Sequence, residues 1–362
     1  MPEINPLNEK LKKQYEETLL HGRHRQRRTV DAVWKAITLF ENSTGRQPFT
    51  SFNATQAKDF KQWLSKQVNE KGHPLSLATL RSTLANVREF FLWLRAHAQV
   101  GRKIDSRGID YLHLSQNEDR AARASKPRPQ PTIEQITQAI NAMPCSTDIE
   151  KRDRALMALL AITAMRDGAL ASLRLGDVDI TARTVWQDPK HVKTKFGKAI
   201  LTAWVPINPE FEEIVLDWVT YMRNDLGYSN KDPLFPATRV EANPEKMAFE
   251  VAGLSDKPWA SAAAIRKIFK EAFTRAGLPT FHPHSCRHML ITWGIENLSQ
   301  EEFKALSQNL GHDHAMTTYN AYGTIPAERQ IKLIRGMNKG PSDLSGLSET
   351  ELLAELMRRK TV

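Results

Sequence analysis

With 362 residues, 41% of them hydrophobic and 25% charged, the chain is too long for one ordinary core and suits two domains. Lys plus Arg number 51 against 41 Asp plus Glu, a formal charge of +10, which favours a polyanionic partner because neutralised phosphates release counterions. Two cysteines, Cys145 and Cys286, argue against a disulfide scaffold. With no run of about 18 apolar residues and no signal-peptide core, the expectation is a soluble, cytoplasmic protein without a membrane partner.

Residues 1–28 read as a basic N-terminal segment, densest in His21-Gly22-Arg23-His24-Arg25-Gln26-Arg27-Arg28. Such a run suits an arm along DNA phosphates or a solvated tail. From 29 to about 98 the pattern is helical. Val30, Val33, Trp34, Ile37 and Phe40 mark one apolar face, with Gly45 at the expected stop. Ala57, Phe60, Leu64 and Val68 mark a second; Leu80, Leu84, Val87, Phe91 and Leu94 mark a third behind a capping Ser76. These faces predict a helical domain over 29–115. Residues 116–131 are polar, with Pro127, Pro129 and Pro131, and read as an extended linker. Its Arg120, Arg123, Lys126 and Arg128 could track a phosphate backbone.

The second domain, 132–340, is mixed. Residues 152–163 predict a buried helix that delivers Arg166 to the following turn. Stretches 184–186, 191–193 and 200–205 read as short strands, with Phe196-Gly197 as a turn. Helices follow over 211–222, 262–276, 289–297 and 300–308, Gly277 ending one of them. The tail 341–362 carries Leu347, Leu352, Leu353 and Leu356, an amphipathic pattern able to dock in cis or on a neighbour. The fold class expected is α+β, mainly helical, with a small antiparallel sheet.

The chemistry-bearing residues come late. Arg166 stands in Thr163-Ala164-Met165-Arg166-Asp167-Gly168, followed by His284-Ser285-Cys286-Arg287, Gly311-His312, Tyr319 and Tyr322. Arginine offers a planar fork that matches two phosphate oxygens. Histidine donates a hydrogen bond or moves a proton near neutral pH, and tyrosine can be a covalent nucleophile. In this order the set suits cleavage of a phosphodiester by a protein nucleophile. His282, His284, Cys286 and His288 alternate like a zinc cluster, but no separated second pair of ligands accompanies them. No metal and no cofactor are expected.

Over roughly residues 29–325 the chain resembles the tyrosine recombinases, the phage integrase family. The family's second box reads roughly Pro-His-x-x-Arg-His, Leu-Gly-His and Thr-Thr-x-x-x-Tyr. Here it is Pro283-His284-Ser285-Cys286-Arg287-His288, Leu310-Gly311-His312 and Thr317-Thr318-Tyr319-Asn320-Ala321-Tyr322. The first box, Thr-Gly-Leu-Arg with Leu-x-x-Leu and an Asp, becomes Thr163-Ala164-Met165-Arg166, Leu170, Leu173 and Asp177. The family's Glu three residues after the first arginine is Ala169 here, leaving Asp167 and Asp177 as nearby carboxylates.

The resemblance implies an N-terminal helical core-binding domain that clamps one face of a duplex and a catalytic domain that holds the other. It implies that Tyr322 attacks a DNA phosphate to form a 3′-phosphotyrosyl link. Arg166 and Arg287 would carry the electrostatic load, while His284 and His312 donate to the phosphate or shuttle the nucleophile's proton. The family's Thr-Lys-x-Gly-Lys turn matches Thr194-Lys195-Phe196-Gly197-Lys198 and selects Lys195 to protonate the departing 5′ oxygen. Lys193 and Lys198 compete for that role through a register step. Tyr319, seven residues after His312 where Tyr322 is ten, competes as nucleophile. The implied partners are double-stranded DNA with specific recombination sites and three further copies, a homo-tetramer on two duplexes in the nucleoid. Integration or excision of a mobile element would be the task. A topoisomerase-like relaxing enzyme and a DNA-binding protein without catalysis are the other readings.

Overall fold

The computed structural model describes residues 4–123, 129–243, 248–311 and 331. Its contacts divide the chain into two units, Met1–Ala124 and Ser125–Val362. In the first, Asn5 caps α1 (Pro6–Glu17) by accepting from the backbone N–H groups of Leu7 and Asn8. Leu11, Tyr15 and Leu19, four apart on one face, are buried. Lys12 locks this helix down, its Nζ lying 2.6 Å from both Glu9 and Glu41. Asn8 donates to the other oxygen of Glu41 at 3.1 Å. Residues 6–22 are therefore helical and packed, not part of a detached basic segment. Part of that stretch is core, because an apolar i, i+4 stripe underlies its charges.

α2 (Arg27–Ser43), α3 (Ala54–Ser65) and α4 (Leu77–Ala96) form the rest of this core. Phe40 of α2 meets Phe60 of α3 at 5.2 Å and Phe91 of α4 at 4.9 Å, both edge-on. A short α5 (Ser106–Ile109) precedes α6 (Gln116–Arg123), which corrects the extended reading for 116–123. Ser115 and Glu118 exchange capping bonds at its start. Asp119 then pairs with Arg81 of α4 at 2.7 Å and with Arg123 at 2.8 Å. A charge-rich run without apolar period still forms a helix when its ends are capped and its charges are paired.

In the second unit, α7 (Ile133–Asn141) and α8 (Asp148–Thr163) both open with capping boxes, Thr132 with Gln135 and Thr147 with Glu150. Every residue of α8 from Ala155 to Thr163 is buried, which makes it the central helix of the unit. α9 (Asp167–Leu170) leads to a three-stranded antiparallel sheet ordered β1 (Val178–Asp179), β2 (Thr184–Gln187), β3 (Ile200–Ala203). Val185 pairs with Thr202 and Gln187 with Ile200, and these four face inward while Trp186 and Leu201 are exposed.

The strand expected at 191–193 is absent. Lys193 N–H donates to Ser172 Oγ at 2.8 Å and His191 pairs with Asp177 at 2.9 Å, so these groups are satisfied by loop partners and not by a ladder. β2 and β3 are joined by a long connection, 188–199, and not by a tight turn.

α10 (Pro209–Asn224) follows, then an unanticipated two-stranded hairpin, β4 (Pro236–Asn243) with β5 (Ala248–Pro258). Its cross-strand pair Val240 and Val251 is exposed, so no buried face imposed the alternation that marks a strand. Arg152 of α8 holds its base, donating to Pro236 O at 2.7 Å and to Thr238 at 3.2 Å. α11 (Ala263–Arg275), α12 (Ser285–Asn297) and α13 (Gln300–Asn309) complete the described unit. α12 begins at Ser285 and not at 289, which sets Arg287 on its first turn. Among the described residues no helix is long and apolar enough to cross a membrane. The tail 341–362 lies outside the described residues.

Candidate active site

α8 ends at Ala164, a left-handed residue with φ 44° whose N–H reaches Leu160 O at 2.8 Å. The reversal turns the chain so that Arg166 emerges, half-buried, at the start of α9. Burial lowers the pKa of its guanidinium, and among the described residues no hydrogen bond or ion pair holds that group. The nearby carboxylates do not compensate it. Asp167 pairs with Arg266 at 2.8 Å, and Asp177 accepts from His191 and from Arg174 N–H. A partly desolvated guanidinium without a counter-ion favours an arriving anion.

Arg287 is 5% exposed. Its Nη1 donates to Ala164 O at 3.3 Å and its Nη2 to Leu310 O. The turn that presents Arg166 thus also anchors Arg287. Both line one cleft, with Thr163, Gln187, Thr202 and Asn309 around them.

His284 directly precedes α12, its ring 5.2 Å from that of His288 at 90°. Its backbone N–H donates to Nδ1 of His282 at 3.2 Å. The residue is open to solvent, yet partial burial of the ring, then the neighbouring His288, Arg287, His282 and Arg166, lower its pKa to about 4. Without a bound anion it is therefore neutral at pH 7, one ring nitrogen a donor and the other an acceptor. The helix starting at Ser285 breaks the alternation of His282, His284, Cys286 and His288. Cys286 turns into the core, where burial pushes its thiol up to about 12.

Lys195 is exposed on a 3₁₀ turn, Lys195–Gly197, within the 188–199 connection. Gln187 and Ile200, the residues flanking that connection, belong to the arginine cleft. Lys193, its rival, reaches Ala260 O at 3.4 Å. His312, Tyr319 and Tyr322 lie outside the described residues. Gly311, immediately before His312, has φ 70°, and a Cβ there would come within 2.8 Å of Ile200 Cδ1. Glycine alone lets the chain turn left-handed this close to β3.

Arg166, Arg287 and His284 therefore share one charged neighbourhood, with Lys195 on the adjoining connection. Sequence reasoning did not single out Gln187, Thr202 or Asn309. The available signal was a polar residue at an inward position of an alternating strand: Gln187 and Thr202 are 5% and 1% exposed.

Residues 130–329 match the phage integrase family. Tyrosine recombinase XerC of Halalkalibacterium halodurans is 24% identical over 186 residues, 51% of this chain and 54% of that protein; the chain thus spans about half the length of that relative. Tyrosine recombinase XerC of Xylella fastidiosa is 26% identical over 248 residues, 67% of this chain and 69% of that one. The crystal structure of a lambda integrase tetramer bound to a Holliday junction has a similar fold. Its TM-score is 0.57 at 16% identity, covering 86% of this chain and 79% of that one. The family match takes in more than half of the chain, and the chain belongs to the phage integrase family, the tyrosine recombinases.

Proposed function

We propose that the chain is a site-specific DNA recombinase that cleaves and rejoins DNA through a 3′-phosphotyrosyl intermediate at Tyr322, integrating or excising a mobile element. The observation that carries this reading is the convergence of Arg166 and Arg287 on one cleft, the first with no partner among the described residues. The phosphorane-like transition state is doubly negative, and fixed guanidiniums aimed at its non-bridging oxygens stabilise it more than they stabilise the ground state.

In the first step the Tyr322 oxygen bonds to phosphorus and the bond to the 5′ oxygen breaks. The phenolic proton passes to a histidine, His284 or His312, and Lys195 gives a proton to the departing oxygen. In the second step a 5′ hydroxyl from a partner strand attacks the phosphotyrosyl link and releases the tyrosine. One phosphoester replaces another at each step, so no nucleotide hydrolysis is needed.

The Met1–Ala124 unit acts as the clamp on the duplex and the Ser125–Val362 unit as the catalytic domain. Exchange between two duplexes requires four protomers, and the likeness to a lambda integrase tetramer on a Holliday junction supports that assembly. The protein works on the nucleoid. A nicked suicide duplex made from the DNA flanking the gene tests the reading. Wild type should remain covalently attached on a denaturing gel, and Tyr322→Phe should bind but not attach. Attachment that survives Tyr322→Phe and is lost in Tyr319→Phe would move the nucleophile. No attachment by any form would leave a DNA-binding protein, and relaxation of a supercoiled plasmid carrying the same DNA, without exchanged products, would leave a relaxing enzyme.

A further inference from the structure

Asn309, the last residue of α13, makes a bidentate contact with the edge of β3. Its Oδ1 accepts from Ala203 N–H at 2.6 Å, and its Nδ2 donates to Ala203 O at 2.9 Å. A side-chain amide here completes the sheet as a fourth strand would, using both backbone groups of one residue. The neighbouring residue of β3 adds a third bond, Thr202 Oγ1 donating to Asn309 O at 3.3 Å. Gln187 Nε2 of β2 in turn donates to Thr202 Oγ1 at 2.8 Å within the core. Gln187, Thr202 and Asn309 thus form a polar network from the central strand to the end of α13, and all three line the arginine cleft.

Leu310 and Gly311 couple this network to Arg287. Leu310 turns with its N–H on Leu306 O at 3.0 Å, and its own carbonyl accepts from Arg287 Nη2. Gly311 then packs on Ile200 of β3, the strand that Asn309 grips. The carbonyl that orients Arg287 is therefore held on one side by α13 and on the other by the Asn309–Ala203 pair. We infer that Asn309, supported by Thr202 and Gln187, is a positioning residue for cleavage: it fixes the Leu310 carbonyl against the sheet and so aims the Arg287 guanidinium at the scissile phosphate. Guanidinium geometry decides its value to a transition state, and a displacement of about 1 Å can cost on the order of 10²-fold in rate.

The inference rests on the role proposed for Arg287, so the experiment separates the two. Wild type, Arg287→Met, Asn309→Ala and Thr202→Val are compared on two suicide duplexes from the flanking DNA. One carries an ordinary phosphate at the position mapped by wild-type attachment, and the other a neutral methylphosphonate there. A methylphosphonate lacks one negative non-bridging oxygen, so it depends less on a correctly aimed cation.

Asn309→Ala should lose on the order of 10²-fold in attachment rate on the phosphate, bind the duplex as wild type does, and recover most of the rate on the methylphosphonate, in parallel with Arg287→Met. Thr202→Val keeps the shape of the core and should show a smaller loss of the same kind, which covers the case in which Asn309→Ala fails to fold. Val219→Ala, a core truncation away from the cleft, serves as the structural control and should gain nothing from the neutral substrate. An equal defect on both substrates, or no defect, overturns the positioning role. If wild type attaches to no duplex, the proposed function falls instead. The Nε–H resonance of Arg287 then decides the inference, which is overturned if Asn309→Ala leaves that resonance unmoved.

Discussion

Arg166 and Arg287 share a proposed task but sit in opposite structural circumstances, so replacing each with methionine should separate function from stability. Arg287 donates to two carbonyls, those of Ala164 and Leu310, and both residues are buried, at 1% and 3% exposure. Methionine keeps much of the side-chain volume and removes every donor. A hydrogen bond from a charged group contributes about 1.5–3 kcal/mol, and a buried acceptor left unmade costs about 1–3 kcal/mol. A loss of about 3–5 kcal/mol is therefore expected for Arg287→Met.

At about 2–4 °C per kcal/mol for a unit of this size, the melting temperature of the second unit should fall by about 10 °C. Arg166 has no partner among the described residues, and its charge is partly desolvated for no return within the folded chain. Arg166→Met should change stability by no more than about 0.5 kcal/mol. Both variants should lose about 10²–10³ in attachment rate. Calorimetry would give the melting temperatures, and initial rates of attachment on a suicide duplex would give the activity, measured well below the lower melting temperature. Equal destabilisation by the two substitutions, or a larger effect at Arg166, would refute the reasoning.

Lys195→Ala should slow cleavage of ordinary DNA by about 10²–10⁴, and a 5′-bridging sulfur, whose thiolate leaves without protonation, should restore the rate. Rescue confined to Lys193→Ala or Lys198→Ala in the same assay would move the acid. Because the folded protein lowers the pKa of His284 to about 4 from an ordinary value of 6.5, the unfolded chain binds the extra proton between those values. Stability should thus be full above about pH 6.5 and decline as pH falls toward about 4. Urea unfolding at about pH 5 and about pH 7.5 should show a smaller difference for His284→Gln than for wild type, and an unchanged difference would count against the assignment. Gly311→Ala forces φ 70° on an alanine and sets its Cβ 2.8 Å from Ile200 Cδ1. It should cost roughly 1–3 kcal/mol in calorimetry, and Ile200→Val should recover part of that by removing the Cδ1 it meets.

Local order was legible from the chain alone wherever one short-range signal dominates. The stripes through Phe40, Phe60 and Phe91, the short strands read at 184–186 and 200–205 and the family boxes around Arg166 and His284 each rest on spacing or residue type. Helix and strand period, and the matching of guanidinium to phosphate, do not depend on distant partners. Signals failed where the deciding partner lay far along the chain. The charges around Leu11, Tyr15 and Leu19 hide their stripe, and Lys12 can be buried among them only because it meets Glu41; Asp119 likewise makes α6 a helix that leans on Arg81. His191 and Lys193 take loop partners in place of a ladder, and the β4–β5 hairpin has no buried face to impose alternation. The site divides in the same way. Residue types and their order identify Arg166 and Arg287 as candidates. Only the tertiary structure decides that Arg287 is tied to two buried carbonyls while Arg166 has no counter-ion among the described residues, and that Asn309 grips β3 beside them, because each depends on backbone groups that long-range folding alone brings within hydrogen-bond reach.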